Sequence, residues 1–225
     1  MIFVTGDTHN DIDIHKLSRQ NFNYEGLTKD DYIIICGDFG FIWHGNRKDD
    51  WWLNWLEDLP CSVLWADGNH ENFDAIEQYP VEEWHGGKVH KIREHVIHLM
   101  RGEVYDISGK KFFVFGGAES HDKWCRKEGV SWWPQEMPTY EECEHALENL
   151  EKHNWKVDYV ITHSAPDNIQ YRINPNFSHD MATNFLFTVD KQLEFTHWYF
   201  GHYHIDREID DKHTALYQDV IKLDV

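Results

Sequence analysis

Five short segments of this 225-residue chain place Asp, Asn or His directly after apolar runs. They are Gly6-Asp7-Thr8-His9, Gly37-Asp38, Gly68-Asn69-His70-Glu71, Thr162-His163 and Gly201-His202-Tyr203-His204. Together they offer seven oxygen or nitrogen ligands and one further histidine, spread over nearly the whole chain. Donors of these types and in this number could hold two divalent metal ions side by side. A pair of metal ions suits the hydrolysis of phosphate esters, so the pattern predicts this chemistry.

Two of the segments carry ligand residues at alternate positions of an extended stretch. Alternate side chains of a strand share one face, so Asp7 and His9 could bind the same metal ion, as could His202 and His204. A lone Asp-x-His sequence is weak evidence for a metal site because solvated loops often contain it, but the preceding apolar run and Gly6 strengthen the prediction. Paired imidazoles suit manganese, iron, zinc or nickel. The predicted cofactors are two divalent ions, with manganese expected first.

The remaining three segments each add one ligand. Asp38 follows a strand, and its two carboxylate oxygens could bridge two cations, although a lone Asp there is usually a cap or turn residue. Asn69 supplies a neutral oxygen, while the adjacent His70 would point elsewhere and could donate a proton. His163 also follows a strand, where a histidine is more often structural than a ligand. The predicted site therefore depends on all five segments occurring together.

Short apolar runs rich in β-branched or aromatic residues precede the five segments, and they predict buried strands. They are residues 2–4, 32–36, 63–66, 159–162 and 198–201. Ligands at the carboxyl ends of strands are typical of an α/β sheet. Between these runs, apolar residues recur at helical spacing and predict three helices. The first covers residues 49–58 with Asp49 as the expected N-cap, the second follows a capping box at Thr139, and the third covers residues 180–193.

Close-set strand patterns occupy two further regions, the first with Ser108-Gly109 as a tight turn. They lie at residues 96–100, 103–107 and 111–115, and again at 207–209, 215–218 and 221–225. Hairpins mixed with crossover helices predict two mixed sheets packed face to face, with helices outside. Because the five segments span nearly the whole length, residues 1–225 are expected to form a single domain.

Charge and composition restrict the partners. The chain has 21 Lys and Arg against 40 Asp and Glu, a formal net charge of −19, which disfavours broad non-specific binding to nucleic acid or anionic membranes. The chain contains no run of about 18 apolar residues, so no transmembrane helix is predicted. Four cysteines without a Cys-x-x-Cys pair indicate free thiols in a reducing compartment. Because the first predicted ligand is Asp7, a removable signal peptide would destroy the site, and a cytoplasmic location is expected.

The joint pattern resembles the calcineurin-like metallophosphoesterase family, whose five motif blocks occur here in the same order over essentially the whole chain. The resemblance implies a mixed α/β fold, the four-layer αββα sandwich of metallo-dependent phosphatases, with a dinuclear site at one edge. It implies that His70 is the catalytic histidine, and that Glu71 completes its motif without an assigned ligand role. The implied ligands are Asp7, His9, Asp38 and His204 for one metal ion, and Asp38, Asn69, His163 and His202 for the other.

Two departures from the family pattern bear on the substrate. Asn10 stands where glycine is usual, a mild change because Asn tolerates left-handed backbone. The stretch after Gly37-Asp38-Phe39-Gly40 lacks the Asp-Arg-Gly sequence of the protein Ser/Thr phosphatase branch, which argues against a phosphoprotein phosphatase.

The expected activity is hydrolysis of a phosphate ester by a metal-bridging hydroxide, with His70 as the general acid. A phosphodiester is favoured, either a cyclic nucleotide or another small diester. The alternatives are a phosphomonoesterase for small metabolites or phosphoproteins, and a non-catalytic metal-binding interaction module. A module of that kind would usually have lost several ligands, whereas all are present here. A nuclease of the DNA-repair branch is disfavoured by the acidic charge, and the oligomeric state stays open.

One locally basic segment, residues 121–127, lies outside the five motifs. It contains Lys123, Trp124 and Arg126, which could bind a phosphate and stack against a base or ring. An ordinary surface loop with a hydrophobic anchor is the alternative.

Overall fold

Two β-sheets form the centre of the computed structural model, which describes residues 1–224. The strands are β1 (Ile2–Thr5), β2 (Tyr32–Ile35), β3 (Ser62–Trp65), β4 (Val81–Trp84), β5 (Gly87–Arg93), β6 (Val96–Leu99), β7 (Glu103–Ile107), β8 (Lys110–Phe115), β9 (Tyr159–Thr162), β10 (His197–Phe200), β11 (Arg207–Asp210), β12 (His213–Ala215) and β13 (Val220–Lys222). The first sheet has the order β13-β1-β2-β3-β6-β5-β4, and the second has the order β11-β12-β10-β9-β8-β7.

The strands that precede the predicted ligands run parallel to one another within each sheet. In the first sheet β1, β2, β3 and β6 are parallel, and in the second β8, β9, β10 and β12 are parallel. Parallel strands end at the same edge of a sheet. The loops after β1, β2 and β3 therefore share one edge of the first sheet, and those after β9 and β10 share one edge of the second.

Five α-helices of the described residues cover the outer faces of the sheets. They are α1 (Arg47–Glu57), α2 (Phe73–Ile76), α3 (Tyr140–Lys152), α4 (Asp167–Ile173) and α5 (Met181–Asp190). α1 and α2 pack on the first sheet, whereas α3, α4 and α5 pack on the second. A third apolar cluster fills the space between the sheets. This arrangement of helix, sheet, sheet and helix layers confirms the predicted mixed α/β sandwich.

The burial of β2 on both faces explains why this strand could be predicted from the sequence. Ile34 and Cys36 face the cluster between the sheets, whereas Ile33 and Ile35 face the cluster beneath α1 and α2. A parallel strand covered on both faces is apolar at every position. The resulting continuous run of buried residues holds the following Asp38 at the sheet edge.

Two local predictions were wrong in detail, one at the start of a helix and one at the end of a strand. α1 begins at Arg47 and not at Asp49, because Asn46 is its N-cap and accepts from the backbone N–H groups of Lys48 and Asp49. The Asp49 carboxylate instead accepts from the backbone N–H groups of residues 43, 44 and 45. The capping box at Thr139 is confirmed.

At the C-terminal end, residues 215–218 do not form a strand beyond Ala215, because the N–H groups of residues 217–219 donate to the Asp206 carboxylate. The predicted strand at residues 221–225 corresponds to β13, and Val225 lies outside the described residues. The run at residues 96–100 is a strand, as predicted, and it belongs to the first sheet. Among the helices of residues 1–224, none combines the length and apolar character that crossing a membrane requires.

Candidate metal centre

The first group of donors comes from loops after β1, β2 and β10. One ligand atom from each of four residues lies within 4.8 Å of the others, and the residues are Asp7, His9, Asp38 and His204. Asp38 Oδ2 lies 3.1 Å from His9 Nε2. Asp7 Oδ2 lies 3.2 Å from His204 Nε2 but takes part in no hydrogen bond, although it is buried. A buried carboxylate oxygen without a partner, among converging nitrogen and oxygen donors, fits a bound divalent cation.

The second group of donors surrounds the other oxygen of Asp38. His163 Nδ1 donates to the backbone oxygen of Cys36 over 2.7 Å, so Nε2 is the ring nitrogen that faces the site. This Nε2 lies 3.3 Å from Asp38 Oδ1 and 3.1 Å from Asn69 Oδ1. The His202 ring lies beside that of His163, with centroids 5.0 Å apart. The two oxygens of Asp38 thus face different donor groups, as a bridging carboxylate would.

Left-handed backbone is concentrated at these loops. His9, Asp38, His202 and His204 have φ angles of 43°, 49°, 67° and 50°. Non-glycine residues rarely adopt this conformation, and it is often found at functional sites. At Gly37, where φ is 98°, an added Cβ would lie 2.1 Å from His163 Nδ1. Only glycine therefore lets this loop pass so close to the imidazole.

The buried carboxylates dominate the electrostatics. Burial opposes the charged form of His9 and His163, but Asp38 and Asp7 outweigh it and raise the pKa of His9 to about 9 and that of His163 to about 10. Burial, reinforced by the neighbouring His163, lowers the pKa of His202 to about 3. Two imidazoles that attract protons so strongly mark a negative potential that also attracts a metal cation.

His70 lies beside the two donor groups without joining them. Its backbone N–H donates to Asp38 Oδ1 over 2.7 Å, and its ring centroid lies 5.2 Å from that of His9. Both ring nitrogens of His70 lie 3.2 Å from guanidinium nitrogens of Arg126. Burial and the Arg126 charge lower the pKa of His70, while Asp38 opposes them. The imidazole is thus held near the donors in an environment that promotes loss of its proton.

Of the three predicted substrate residues, only Arg126 reaches the site. It lines a cavity of about 220 Å³ together with His70, His202 and His204, and Asp122 Oδ1 accepts from its Nε over 2.6 Å. The other two residues do not line this cavity. The Lys123 ammonium contacts Glu136 Oε1 at 2.8 Å and Glu119 Oε1 at 3.2 Å, and the Trp124 side chain is 88% exposed.

Supporting residues escaped the sequence analysis. Asp13 Oδ2 lies 2.8 Å from His9 Nδ1, so that His9 Nε2 faces the site; the i,i+4 spacing of the pair was the available signal. The buried Lys16 ammonium donates to the backbone oxygens of Gly6 and Asp7. Burial lowers the pKa of Lys16 to about 8, although the Asp7 charge opposes the shift.

Glu71, which had no assigned role, supports the loop after β2. The side chain is fully buried, and its carboxylate accepts from the backbone N–H of Phe39 over 2.7 Å and from that of Gly40 over 3.1 Å. These bonds hold the backbone immediately after Asp38. Nothing in its local sequence revealed this contact, because the partners lie about 30 residues away.

Comparison with known proteins agrees with this geometry. Asp7, His9, Asp38 and His204 form a group that could hold a metal ion, and the family model for calcineurin-like phosphoesterases matches residues 1–206. The chain belongs to the calcineurin-like phosphoesterase family, whose members hydrolyse phosphate esters and generally use two divalent metal ions. The resemblance found in the sequence is therefore confirmed.

Two solved structures are similar to this chain at low identity. The crystal structure of phosphopantetheinyl hydrolase from Mycobacterium tuberculosis is 17% identical, with a TM-score of 0.45, over 96% of this chain and 89% of that chain. A protein of unknown function from Aquifex aeolicus is 16% identical, with a TM-score of 0.38, over 87% of each chain. No curated protein matches the sequence.

Proposed function

We propose that this chain is a dinuclear-metal-dependent hydrolase of small phosphodiesters, such as cyclic nucleotides. The observation that carries the proposal is Asp38, whose two oxygens lie 3.1 Å from His9 Nε2 and 3.3 Å from His163 Nε2. A carboxylate between two donor groups can bridge two cations. The ligands would be Asp7, His9, Asp38 and His204 on one side, and Asp38, Asn69, His163 and His202 on the other.

The bound ions would supply Lewis acidity and lower the pKa of coordinated water. We propose manganese, because the sites combine imidazoles with carboxylate and amide oxygens. Asp13 orients the His9 ring and the Cys36 carbonyl orients the His163 ring, so both present Nε2 to the site.

His70 is proposed as the general acid that protonates the leaving oxygen. Its backbone bond to Asp38 keeps the ring beside the donors, and the ring lines the same cavity as they do. Arg126 would also contact a phosphoryl oxygen of the substrate, because it lines the same cavity.

The charge around the cavity favours a diester over a monoester. Arg126 is the one Lys or Arg residue that lines it within the described chain, and Glu119 and Asp122 line it as well. Asp122 already pairs with the guanidinium. A monoanionic diester suits this balance better than a dianionic monoester does. A phosphomonoesterase remains the second candidate because its chemistry needs the same ligands.

Further properties follow as proposals. Residues 1–225 would act as one phosphoesterase domain on a small substrate, without broad binding to nucleic acid. A reducing, cytoplasmic location is supported by the cysteines, since all four are free in the structure.

Paired chromogenic phosphodiesters and phosphomonoesters, assayed in manganese, test the proposal, with Asp38→Asn as the control. Diester hydrolysis that is lost in Asp38→Asn is expected. Hydrolysis of the monoester alone would replace the proposal by the second candidate. No hydrolysis of either, with manganese, nickel, zinc or iron demonstrably bound, would instead favour a non-catalytic metal-binding module.

A further inference from the structure

A buried chain of hydrogen bonds leads from Asn69 away from the donor groups. Asn69 Nδ2 lies 3.1 Å from Ser120 Oγ, which lies 2.8 Å from Glu136 Oε2. The backbone N–H of Ser120 also donates to Glu136 Oε1 over 2.9 Å. All three residues are buried, and Glu136 is fully so. Because the three side chains are buried, the hydrogen bonds among them decide which atoms donate and which accept.

The carboxylate at the far end sets the direction of every bond. Glu136 contacts the Lys123 ammonium at 2.8 Å, and a carboxylate can only accept. The single hydroxyl proton of Ser120 is therefore donated to Glu136, and the Ser120 oxygen must accept from Asn69. This requires that the NH₂ group of Asn69 face Ser120. The carbonyl oxygen then faces His163 Nε2, 3.1 Å away.

We propose that Glu136 is a positioning residue, which acts through Ser120 to aim the carbonyl oxygen of Asn69 at the second metal ion. The inference rests on the proposed function, in which Asn69 is a ligand of that ion. The two ends of an amide have nearly the same shape, so packing alone selects weakly between them, whereas the hydrogen bonds select strongly. An amide turned the other way would present NH₂, which has no lone pair available for a cation.

Glu136 also connects this ligand to the substrate side of the cavity. Its Oε1 accepts from both the Ser120 backbone and the Lys123 ammonium. Both residues lie in the same loop as Arg126, which contacts His70. One buried carboxylate thus anchors a metal ligand and the loop that carries the proposed phosphate contact. This also explains why the Lys123 charge is directed inward.

The substitution Glu136→Gln would reverse the donor and acceptor roles in the hydrogen bonds from Ser120 to Asn69, with little change in the shape of the side chain. The new amide can keep its oxygen toward the Ser120 N–H and Lys123, and its NH₂ then faces Ser120 Oγ. Ser120 would donate its proton to Asn69, which favours the turned amide. Changes to groups that orient metal ligands typically cost about 10–100-fold in metal affinity, so a loss of this size is expected at one of the two ions.

Isothermal titration of Mn²⁺ into the metal-free full-length chain tests the inference, using Glu136→Gln, Asn69→Ala and the double variant. Glu136→Gln should weaken one of two Mn²⁺ ions and leave the other unchanged. In the Asn69→Ala background it should have no further effect, because the group through which it acts is gone. An equal loss in that background would show that Glu136 acts by its charge or on the fold, and would overturn the proposal. Unchanged affinity in the single variant would do the same.

Two further variants guard the interpretation. Glu103→Gln changes another buried carboxylate, which contacts His145 and Asn149, and it should leave Mn²⁺ binding unchanged. If Glu136→Gln does not fold, Ser120→Ala removes the link while the Glu136–Lys123 pair remains, and it should weaken the same ion.

The wild-type titration separates failure of this inference from failure of the proposed function. Wild-type protein that binds fewer than two Mn²⁺ ions, or Asn69→Ala that binds both normally, would refute the ligand assignment and the inference with it. Normal wild-type binding with unchanged Glu136→Gln would refute only the positioning role.

Discussion

Replacing Gly201 by Ala would add a methyl group directly against the Asp7 carboxylate. The new Cβ would lie 2.2 Å from Asp7 Oδ1 and 2.6 Å from the backbone oxygen of Cys36, whereas ordinary contacts lie at 3.4–4 Å. Gly201 does not have left-handed backbone, so the conformation suits Ala and the effect is purely steric. The carboxylate and the loop at residue 201 must both shift, because the backbone of Cys36 lies in the buried part of the first sheet and accepts from His163.

The size of the displacement gives the expected loss of activity. To restore contact, the Asp7 oxygen must retreat by about 1 Å, and a misplacement of this size costs on the order of 100-fold in rate. Overpacking of a well-filled site should also lower the free energy of unfolding by about 1–3 kcal/mol. We therefore expect Gly201→Ala to fold, to bind Mn²⁺ more weakly and to lose about 100-fold in kcat/KM.

The assay compares kcat/KM for a chromogenic diester, Mn²⁺ affinity and urea unfolding in two variants. Gly87→Ala is the matched control, because its Cβ would lie 2.6 Å from the Tyr105 ring, in β5 and away from the ligands. It should lose stability but keep its activity and its Mn²⁺ affinity. If Gly201→Ala kept wild-type activity and Mn²⁺ affinity, the argument that Asp7 must hold its position to bind metal would be refuted.

Other parts of the site yield three further predictions. His70→Ala should lower kcat by about 10²–10⁴-fold and still bind two Mn²⁺ ions, whereas loss of metal would contradict its role as an acid. Arg126→Gln should raise KM by about tenfold or more through loss of a charged hydrogen bond, and an unchanged KM would exclude substrate contact. In metal-free protein the pKa values of His9 and His163, raised from 6.5 to about 9 and about 10, add stability below pH 6.5 that is lost as pH rises through those values. Urea unfolding across this range should show the decline without metal and not with saturating Mn²⁺; a flat metal-free profile would contradict it.

The central strands could be predicted because burial on both faces leaves a continuous apolar run in the sequence. Tyr32–Ile35 and Tyr159–Thr162 are of this kind. The edge hairpin of β4 and β5 was missed, because Val81–Trp84 is largely exposed and carries two glutamates. The sequence also did not predict to which sheet Val96–Leu99 belongs, because the apolar pattern of a strand indicates that the strand is buried but not which strand pairs with it.

The substrate residues show the limit of reasoning from composition. Lys123 and Arg126 lie in one basic segment, but their side chains point in different directions. Arg126 faces the cavity beside His70, whereas the Lys123 ammonium is taken up by the buried Glu136. Charge along the chain gave no indication of this difference, because Glu136 approaches from a separate turn.

The donor types and their positions at strand ends are local properties, and the sequence alone was enough to predict them. Which oxygen of Asp38 faces which donor group, and which way the Asn69 amide points, depends on residues far apart in the chain. Asn69 and Ser120 are 51 positions apart, and His163 and Cys36 are 127 apart. Hydrogen-bond direction is a property of atoms in contact, so it arises only when the sheets pack and bring these loops together.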